Sequence, residues 1–199
     1  MRKTFEVTDN ELINEVLNNA EYGTLSLCSN NIPYILPLNF VMIDGEIYFH
    51  GAKKGKKIDI IKENSNASFN VVETYSLLPS YFSTDDGKAC PATHLYKSII
   101  IDGFIEFIED YDEKARVLEF LMKKLQKEGK YIPLNNEIYK KAINATCLYK
   151  LISIKINAKF ALGQGFNDER FTRVSEHLKQ RATKTDIKTL ELLNKFRNK

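Results

Sequence analysis

Near the start of the chain, apolar residues recur with the three- and four-residue spacing of a helix that buries one face. The recurring positions are Leu12, Ile13, Val16 and Leu17. Thr8 and Glu11 have the spacing of a capping box, in which the hydroxyl and the carboxylate each accept a hydrogen bond from a helix-start amide. The pattern predicts a first helix from Thr8 to about Ala20, ended by Tyr22 and Gly23.

After Gly23 the spacing changes, and β-branched and aromatic residues dominate short runs bounded by turn-forming residues. These runs predict six strands, over residues 24–28, 34–43, 46–50, 67–73, 94–109 and 147–160. Asn30-Asn31 separates the first two strands, and Asp44-Gly45 separates the second and third. Asp-Gly is a strong signal for a type I′ hairpin, because both central residues of that turn need a positive φ angle. Gly103 predicts a bulge or a close approach of another backbone.

Helical patterns fall between and after these strands, where apolar residues collect on one face and glycine ends the run. The predicted helices and helix-favouring segments are 58–63, 112–127, 138–145 and 168–199. A glycine-rich loop over residues 51–57 leads into the first of them. Residues 76–92 contain two prolines and several polar residues and predict a long loop.

The order of these elements differs from the strict strand–helix alternation of a parallel sheet. It predicts a mainly β (α+β) fold, a six-stranded antiparallel barrel with flanking helices. A chain of 199 residues with 43% hydrophobic residues is long enough for one core. We therefore expect one barrel domain over residues 1–160 and a C-terminal helical extension over 161–199 that packs on the same domain.

The charge of the chain argues against two classes of partner. With 29 basic and 26 acidic residues the net charge is +3, too small to predict nucleic-acid or membrane binding. No run approaches the roughly 18 apolar residues of a membrane span, and the first residues lack the apolar core of a signal peptide.

The three cysteines, Cys28, Cys90 and Cys147, are far apart in the sequence and lack zinc-ligand spacing. We expect a cytoplasmic protein with no metal site.

Four lysines surround two glycines where the third predicted strand passes into the short helix. They are Lys53, Lys54, Lys56 and Lys57, beside Gly51 and Gly55. Such a junction offers free amides and the positive end of a helix dipole, and glycine lets a phosphate approach the backbone. The cluster is either a phosphate cradle or a solvated lysine-rich turn, and its spacing alone does not separate these interpretations.

Four motifs in a fixed order surround the lysine cluster. They are PLN followed by an aromatic residue (37–40), YFHGA (48–52), a basic pair ahead of Asn64 (55–59), and YKSII with a later glycine (96–103). In this order they resemble the pyridoxamine 5'-phosphate oxidase-like flavoproteins, and within them the nitroimidazole-resistance branch. The resemblance spans residues 20–110, and more weakly continues to about 160. Lys97 stands where that family has arginine, and Ser65-Asn66 replaces its proline.

The resemblance implies a split barrel that binds FMN at the interface of a homodimer. It implies that Lys56 and Lys57 hold the phosphate, while strand 37–40 and turn 49–52 follow the flavin ring and ribityl chain. The implied cofactor-binding residues are Pro37, Leu38, Asn39, Phe40, Phe49, His50, Gly51, Ala52, Lys56, Lys57 and Ser98. A flavin phosphate carries about two negative charges near neutral pH, which a lysine pair with helix-end amides can neutralise.

His50 is the candidate catalytic residue, because the resemblance implies that it lies beside the flavin ring. An imidazole that titrates near neutral pH can donate a proton or stabilise negative charge on a reduced flavin. The alternative interpretation is an ordinary histidine at a strand end that makes one hydrogen bond, since the flavin itself carries the redox chemistry.

These features predict an FMN-dependent oxidoreductase that passes electrons from NADH or NADPH to a small flat acceptor such as a nitroaromatic or nitroimidazole. The alternative is a non-catalytic protein of the same fold that binds flavin or haem or senses redox state, with His50 or His94 as an iron ligand. A vitamin B6 oxidase is not expected, because Arg170 and Arg173 lie in the wrong context for its substrate-binding motif.

Overall fold

The computed structural model describes residues 3–197, and within them the chain forms eight strands and six α-helices. The strands are β1 (Glu6–Val7), β2 (Tyr22–Ser29), β3 (Ile32–Asn39), β4 (Val41–Ile43), β5 (Glu46–Ala52), β6 (Asn66–Leu78), β7 (Thr93–Ile108) and β8 (Thr146–Ala161). The helices are α1 (Asn10–Asn19), α2 (Lys56–Glu63), α3 (Tyr111–Leu125), α4 (Lys140–Ala145), α5 (Asp168–Arg181) and α6 (Lys184–Arg197). None of these helices is long and apolar enough to cross a membrane.

The chain divides into two compact units. The barrel unit comprises Asn10–Val71 and Ile99–Asn157, and the tail unit comprises Met1–Asp9, Val72–Ser98 and Ala158–Lys199. The strands β6, β7 and β8 contribute residues to both units. The predicted division of the chain at residue 160 stays a prediction. Residues 1–2 and 198–199, which belong to the predicted domain ranges, lie outside the described residues.

The strands are hydrogen-bonded in the order β3-β2-β6-β7-β8-β5-β4, with β1 added to β8. The pairs β1–β8, β2–β3, β2–β6, β4–β5 and β5–β8 are antiparallel. Phe40 alone joins the two end strands, β3 and β4, in the sequence. In a flat sheet the end strands would lie about 29 Å apart, whereas one residue spans about 3.5 Å. The sheet therefore curls until its unpaired edges meet at Phe40, which confirms the predicted antiparallel split barrel with flanking helices.

The predicted number of six strands was too low. Residues 34–43 were predicted as one strand, but Phe40 leaves the ladder and divides the segment into β3 and β4. Its ring is fully buried and packs edge-on against Phe69, with 5.0 Å between the ring centroids. The second additional strand is β1, whose Glu6 and Val7 lie opposite Lys159 and Ala158 of β8.

Two tight turns fix the hairpins at the start of the barrel. Asp44 and Gly45 have φ angles of 52° and 83°, so the predicted type I′ geometry at this turn is confirmed. Asn30 and Asn31 also have positive φ angles, 49° and 62°. Asparagine tolerates this region better than most residues, and the pair joins β2 to β3 without a bulge in their register.

Aromatic rings fill the inside of the barrel unit. Phe69 makes an edge contact with Phe49 at 5.0 Å, and Phe49 stacks on Tyr149 at 5.4 Å. Gly103 of β7 lies where another backbone comes close, because a Cβ atom there would sit 1.9 Å from the carbonyl oxygen of Ile152. The predicted close backbone approach at this glycine is confirmed.

The first residues of two helices can be compared with the capping residues that precede them in the sequence. The helix α1 begins at Asn10, two residues later than predicted from the Thr8 capping box. The helix α3 begins after Asp110, whose carboxylate accepts a hydrogen bond from the Glu113 amide at 2.8 Å. This geometry is that of an aspartate N-cap.

The tail unit contains the two C-terminal helices, α5 and α6, as the helix-favouring composition predicts. A loop was predicted over residues 76–92, but β6 continues to Leu78, and the irregular segment begins at Ser83 after a short 3-10 helix. The strand continues because Ser76 is buried and bonded to α6. Its hydroxyl donates to the carboxylate of Asp186 at 2.6 Å, and its amide donates to the Thr189 hydroxyl at 3.1 Å.

Candidate functional site

A glycine forms the N-terminus of α2. Gly55 precedes the helix with a φ angle of 116°, a conformation that favours glycine. Its carbonyl oxygen accepts hydrogen bonds from the amides of Ile58 and Asp59 at 2.8 and 3.1 Å. No side chain in the described part of the chain caps this helix start. The first amides of α2 therefore have no side-chain acceptor, which suits an anionic ligand.

The side chain of Lys57 lies against β5 and β8. Its ammonium nitrogen, Nζ, is 5.0 Å from the centroid of the Tyr149 ring. A Cβ atom on Gly51 would lie 2.7 Å from the same nitrogen, so the absence of a side chain at Gly51 makes room for it. Burial lowers the pKa of Lys57, and the neighbouring Cys147 thiol opposes this shift. Lys57 is thus a cation held in a partly desolvated place.

The two most deeply buried lysines in residues 3–197, unlike the half-buried Lys57 and Lys124, each have a carboxylate partner. Lys97 and Lys114 are each 2% exposed and pair with Glu73 at 3.5 Å and Glu109 at 2.9 Å. Within the same residues no carboxylate forms an ion pair with Lys57. A desolvated charge without a counter-ion is unfavourable. The Lys57 ammonium is therefore suited to an anion supplied by a ligand.

Lys56 and Lys57 are adjacent in the sequence but point to different strands. The Lys56 Nζ lies 4.8 Å from the centroid of the Tyr34 ring on β3, and the side chain is exposed. Lys57 is half-buried beside β8. The start of α2 thus carries two positive charges, one in solvent and one against the barrel.

His50 lies on β5 opposite Leu148 of β8. Its Nδ1 atom is buried and has no hydrogen-bond partner among residues 3–197. Burial lowers the pKa of the imidazole, and the positive charge of Lys57 lowers this pKa further. The imidazole of His50 is therefore mainly neutral near pH 7, and its buried Nδ1 is left without a hydrogen-bond partner in the described part of the chain.

The predicted strand residues fall into two groups. Pro37, Leu38 and Asn39 lie on β3, an end strand of the sheet, where Pro37 and Asn39 are exposed and Leu38 is half-buried. Phe40 and Phe49, in contrast, are core residues whose rings both pack on Phe69. The side chains of these two residues are therefore enclosed by the core and are not exposed to a ligand.

Two further residues of the sequence motifs lie elsewhere. Asn64 ends α2, since its amide donates to the Ile60 carbonyl at 2.8 Å and its side chain donates to the Cys28 carbonyl at 3.0 Å. Its role is therefore structural. Ser98 is half-buried on β7 and belongs to the tail unit, so its role in binding stays a prediction.

Two residues near Lys57 were not predicted from the sequence. Cys147 and Tyr149 come from β8, which pairs with β5 so that Gly51 lies opposite Cys147 and Phe49 opposite Tyr149. Burial raises the pKa of both groups. The Tyr149 hydroxyl is also buried without a hydrogen-bond partner in the described part of the chain. Alternation along β8 predicts which residues face inward, but not which residues of β5 they meet.

No group of three histidine, cysteine, aspartate or glutamate side chains within residues 3–197 is arranged to hold a metal ion. The arrangement at α2, β5 and β8 instead brings together an unpaired cation, free helix-start amides and an imidazole nitrogen without a partner. These groups can bind a phosphate and a neighbouring polar ring system.

Solved structures with the same fold include several proteins named for flavin or haem. The FAD and heme binding protein of Mycobacterium smegmatis gives a TM-score of 0.68 at 17% identity, over 86% of this chain and 79% of that chain. The flavocytochrome Anf3 of Azotobacter vinelandii gives a TM-score of 0.64 at 19% identity, over 78% of this chain and 69% of that chain. A candidate 5-nitroimidazole antibiotic resistance protein of Bacteroides thetaiotaomicron gives a TM-score of 0.63 at 21% identity, over 77% of this chain and 85% of that chain. At these identities the likeness establishes the fold.

The sequence comparison identifies the family. No curated protein matches the sequence at a significant level. The sequence profile described as pyridoxamine 5'-phosphate oxidase matches residues 9–159. This range contains the whole barrel unit, including α2 and β5, and all of β8 except its last two residues. Because this match covers well over half of the chain, the protein belongs to the pyridoxamine 5'-phosphate oxidase family.

Proposed function

We propose that this protein binds FMN, with the phosphate at the start of α2 and the flavin ring beside β3 and His50. The observation that carries the proposal is the half-buried Lys57 ammonium, which has no carboxylate partner within residues 3–197. The uncapped amides of α2 and the space left by Gly51 support the same site. A dianionic phosphate would supply the missing counter-charge.

The choice of FMN over FAD rests on the resemblance of residues 48–59 to the nitroimidazole-resistance branch. Two of the structures that share the fold are named for FAD and haem, or as a flavocytochrome, so a flavin is the common element. Both flavin nucleotides have the isoalloxazine ring and a phosphate on the ribityl chain. Releasing the cofactor by heat and separating it by chromatography distinguishes them.

The proposed activity is the transfer of electrons from NADH or NADPH to a small flat acceptor such as a nitroaromatic. A bound flavin supplies the redox chemistry. The chain contributes position and charge: Lys57 and the α2 amides anchor the phosphate, and the neutral His50 offers a ring nitrogen to the polar edge of the cofactor. In this proposal His50 is a hydrogen-bond partner that can pass a proton.

We infer that two copies of the chain complete the site. The edge strand β3 carries exposed apolar side chains at Ile32 and Ile35, and Ile154 on β8 is 72% exposed. Ile154 also lines a cavity of about 520 Å³ in the barrel unit, together with Ser68 and Gly103. Apolar surface of this kind is typical of a protein interface. Mass measurement in solution tests the inference, and Ile154→Glu is expected to yield a monomer that binds flavin more weakly.

The visible spectrum of the freshly purified protein tests the proposed cofactor. Flavin absorption bands, present on purification or after incubation with FMN, are the expected result. A protein that stays colourless after incubation with FMN contradicts the proposal. Oxidation of NADPH with a nitroaromatic acceptor then tests turnover.

We also propose a cytoplasmic location. The three cysteines, Cys28, Cys90 and Cys147, are all free, which is consistent with a reducing compartment.

A second candidate function is a carrier or sensor of the same fold that binds haem or flavin without turnover. The observation that favours it is the buried Nδ1 of His50, which has no hydrogen-bond partner within residues 3–197 and is chemically able to ligate iron. His94 suits this role less well, because its Nε2 is 2.9 Å from the Tyr75 carbonyl oxygen. A Soret band, or flavin bands without NADPH oxidation, would favour this alternative.

A further inference from the structure

Arginine side chains in residues 3–197 show one exception to a common pattern. Four of the five pair with an aspartate: Arg116 with Asp44, Arg173 with Asp85, Arg181 with Asp186 and Arg197 with Asp168. Arg170, on α5 of the tail unit, forms no ion pair with any carboxylate of these residues. Its positive charge is therefore balanced by no acidic side chain in the described part of the chain.

The guanidinium group of Arg170 is held in a fixed orientation. Its Nε donates to the Ser83 hydroxyl at 3.0 Å, and its Nη2 donates to the Pro91 carbonyl at 3.2 Å. The Phe166 ring centroid lies 4.1 Å from the central carbon of the guanidinium. The remaining nitrogen, Nη1, donates to no group within residues 3–197. The arginine is thus positioned by neutral groups and keeps a donor for another partner.

Arg170 lines a cavity of about 360 Å³ in the tail unit. This volume is within the range of small-molecule sites, roughly 300–1,000 Å³. Phe5, Leu95 and Phe166 contribute apolar walls, and Cys90 lies at the same cavity. No aspartate, glutamate or second cation is among its lining residues in the described part of the chain. Burial lowers the pKa of Arg170, in keeping with a charge that is partly removed from water.

We propose that this cavity binds a small, flat, singly charged carboxylate, with the carboxylate on Nη1 of Arg170 and the ring between the apolar walls. An aromatic carboxylate matches both parts of the site, one cationic donor and several apolar surfaces. A phosphate suits it less well, because a dianion needs more donors than one arginine offers. The inference does not rest on flavin binding, since every residue that carries it belongs to the tail unit.

Benzoate is the probe that tests this site, with benzamide as its neutral counterpart. Binding to the full-length protein is measured by titration calorimetry and by saturation-transfer NMR. We expect benzoate to bind, benzamide to bind more weakly, and Arg170→Met to weaken benzoate binding about tenfold or more. Lys179→Met is the matched control, because Lys179 is exposed on the same helix and outside the cavity, and it is expected to leave binding unchanged.

Protection of Cys90 from alkylation gives a second measurement on the unmodified chain. Cys90 is exposed and lines the cavity, whereas Cys28 belongs to the barrel unit and serves as the internal reference. Benzoate is expected to slow alkylation of Cys90 by iodoacetamide and to leave Cys28 unaffected. The proposal is overturned if benzoate does not bind, if Arg170→Met binds it as the unmodified chain does, or if Cys90 is not protected.

Discussion

The Nζ atom of Lys57 lies 5.0 Å from the centroid of the Tyr149 ring, and this contact joins the start of α2 to the middle of the barrel. A cation over an aromatic face is attracted by the ring, but that attraction does not replace a counter-ion. Tyr149 in turn stacks on Phe49 of β5. The position of the ammonium group is therefore set by the barrel core, and the charge is available to a bound anion.

Replacing Lys57 by methionine should weaken FMN binding about 10- to 100-fold, because a charged hydrogen bond contributes about 1.5–3 kcal/mol. Lys56→Met should have a smaller effect, since the Lys56 side chain is exposed. Lys54→Met is the control for loss of charge alone. Fluorescence titration of the cofactor-free protein measures the three affinities. Equal losses for Lys57 and Lys54 would contradict the proposed phosphate site.

Two glycines of the barrel unit should respond differently to alanine. In Gly51→Ala the new Cβ meets only the end of the flexible Lys57 side chain, 2.7 Å away, so the fold should persist while FMN affinity falls. In Gly103→Ala the Cβ meets the Ile152 backbone oxygen at 1.9 Å, which cannot move without distorting the sheet. The second change should lower the free energy of unfolding by about 3 kcal/mol. Urea unfolding and flavin titration of both variants separate the two effects.

Asp186→Asn should destabilise the tail unit. The Asp186 carboxylate is fully buried and accepts hydrogen bonds from Nε and Nη2 of Arg181 at 2.9 and 2.6 Å and from the Ser76 hydroxyl at 2.6 Å. Loss of one partner of such a network costs about 3 kcal/mol, measured as a lower unfolding midpoint. Asp168→Asn, at an exposed carboxylate, should change the midpoint little.

The stability of the tail unit should also depend on pH through Asp186. The hydrogen bonds from Arg181 hold the pKa of Asp186 below its ordinary value, although burial acts in the opposite direction. The folded state therefore binds this proton less readily than the unfolded state does. The ionised Asp186 carboxylate therefore contributes its full share of the folding free energy above the ordinary aspartate pKa of about 3.9. This contribution is lost as the pH falls below that value. In Asp186→Asn this part of the acid dependence should be absent.

Lys124 should make the barrel unit more stable in alkaline solution. Its Nζ lies 3.8 Å from the centroid of the Phe40 ring, and burial lowers its pKa from the ordinary 10.5 to about 8. Between these two values the unfolded chain holds a proton that the folded chain has released, so the free energy of unfolding rises with pH in that window. Below pH 8 the folded chain keeps a desolvated charge.

Lys124→Met removes this group and should flatten the rise, which urea unfolding at pH values on either side of the window would measure. Lys127→Met provides the control, because Lys127 is exposed just after the end of α3 and should leave the rise intact. An unchanged slope in Lys124→Met would contradict the assignment.

Much of the fold could be predicted because local signals were strong. Asp44-Gly45 specifies its own turn, and the periodic runs give most strands and helices to within a few residues. The division at Phe40 could not be predicted, because its cause is a contact with Phe69 that lies distant in the sequence. The same is true of Cys147 and Tyr149, which reach Lys57 only through the register of β5 and β8.

The single residue between β3 and β4 limits how the barrel can vary. Because Phe40 is the single residue between the last residue of β3 and the first of β4, the width of the opening at this end is fixed by the reach of one residue. Extra residues inserted here would let the edges drift apart and remove a ring from the core. Insertions at the Asn30-Asn31 turn would lengthen a surface hairpin without either effect. Length variation among relatives is therefore expected at that turn and not at Phe40.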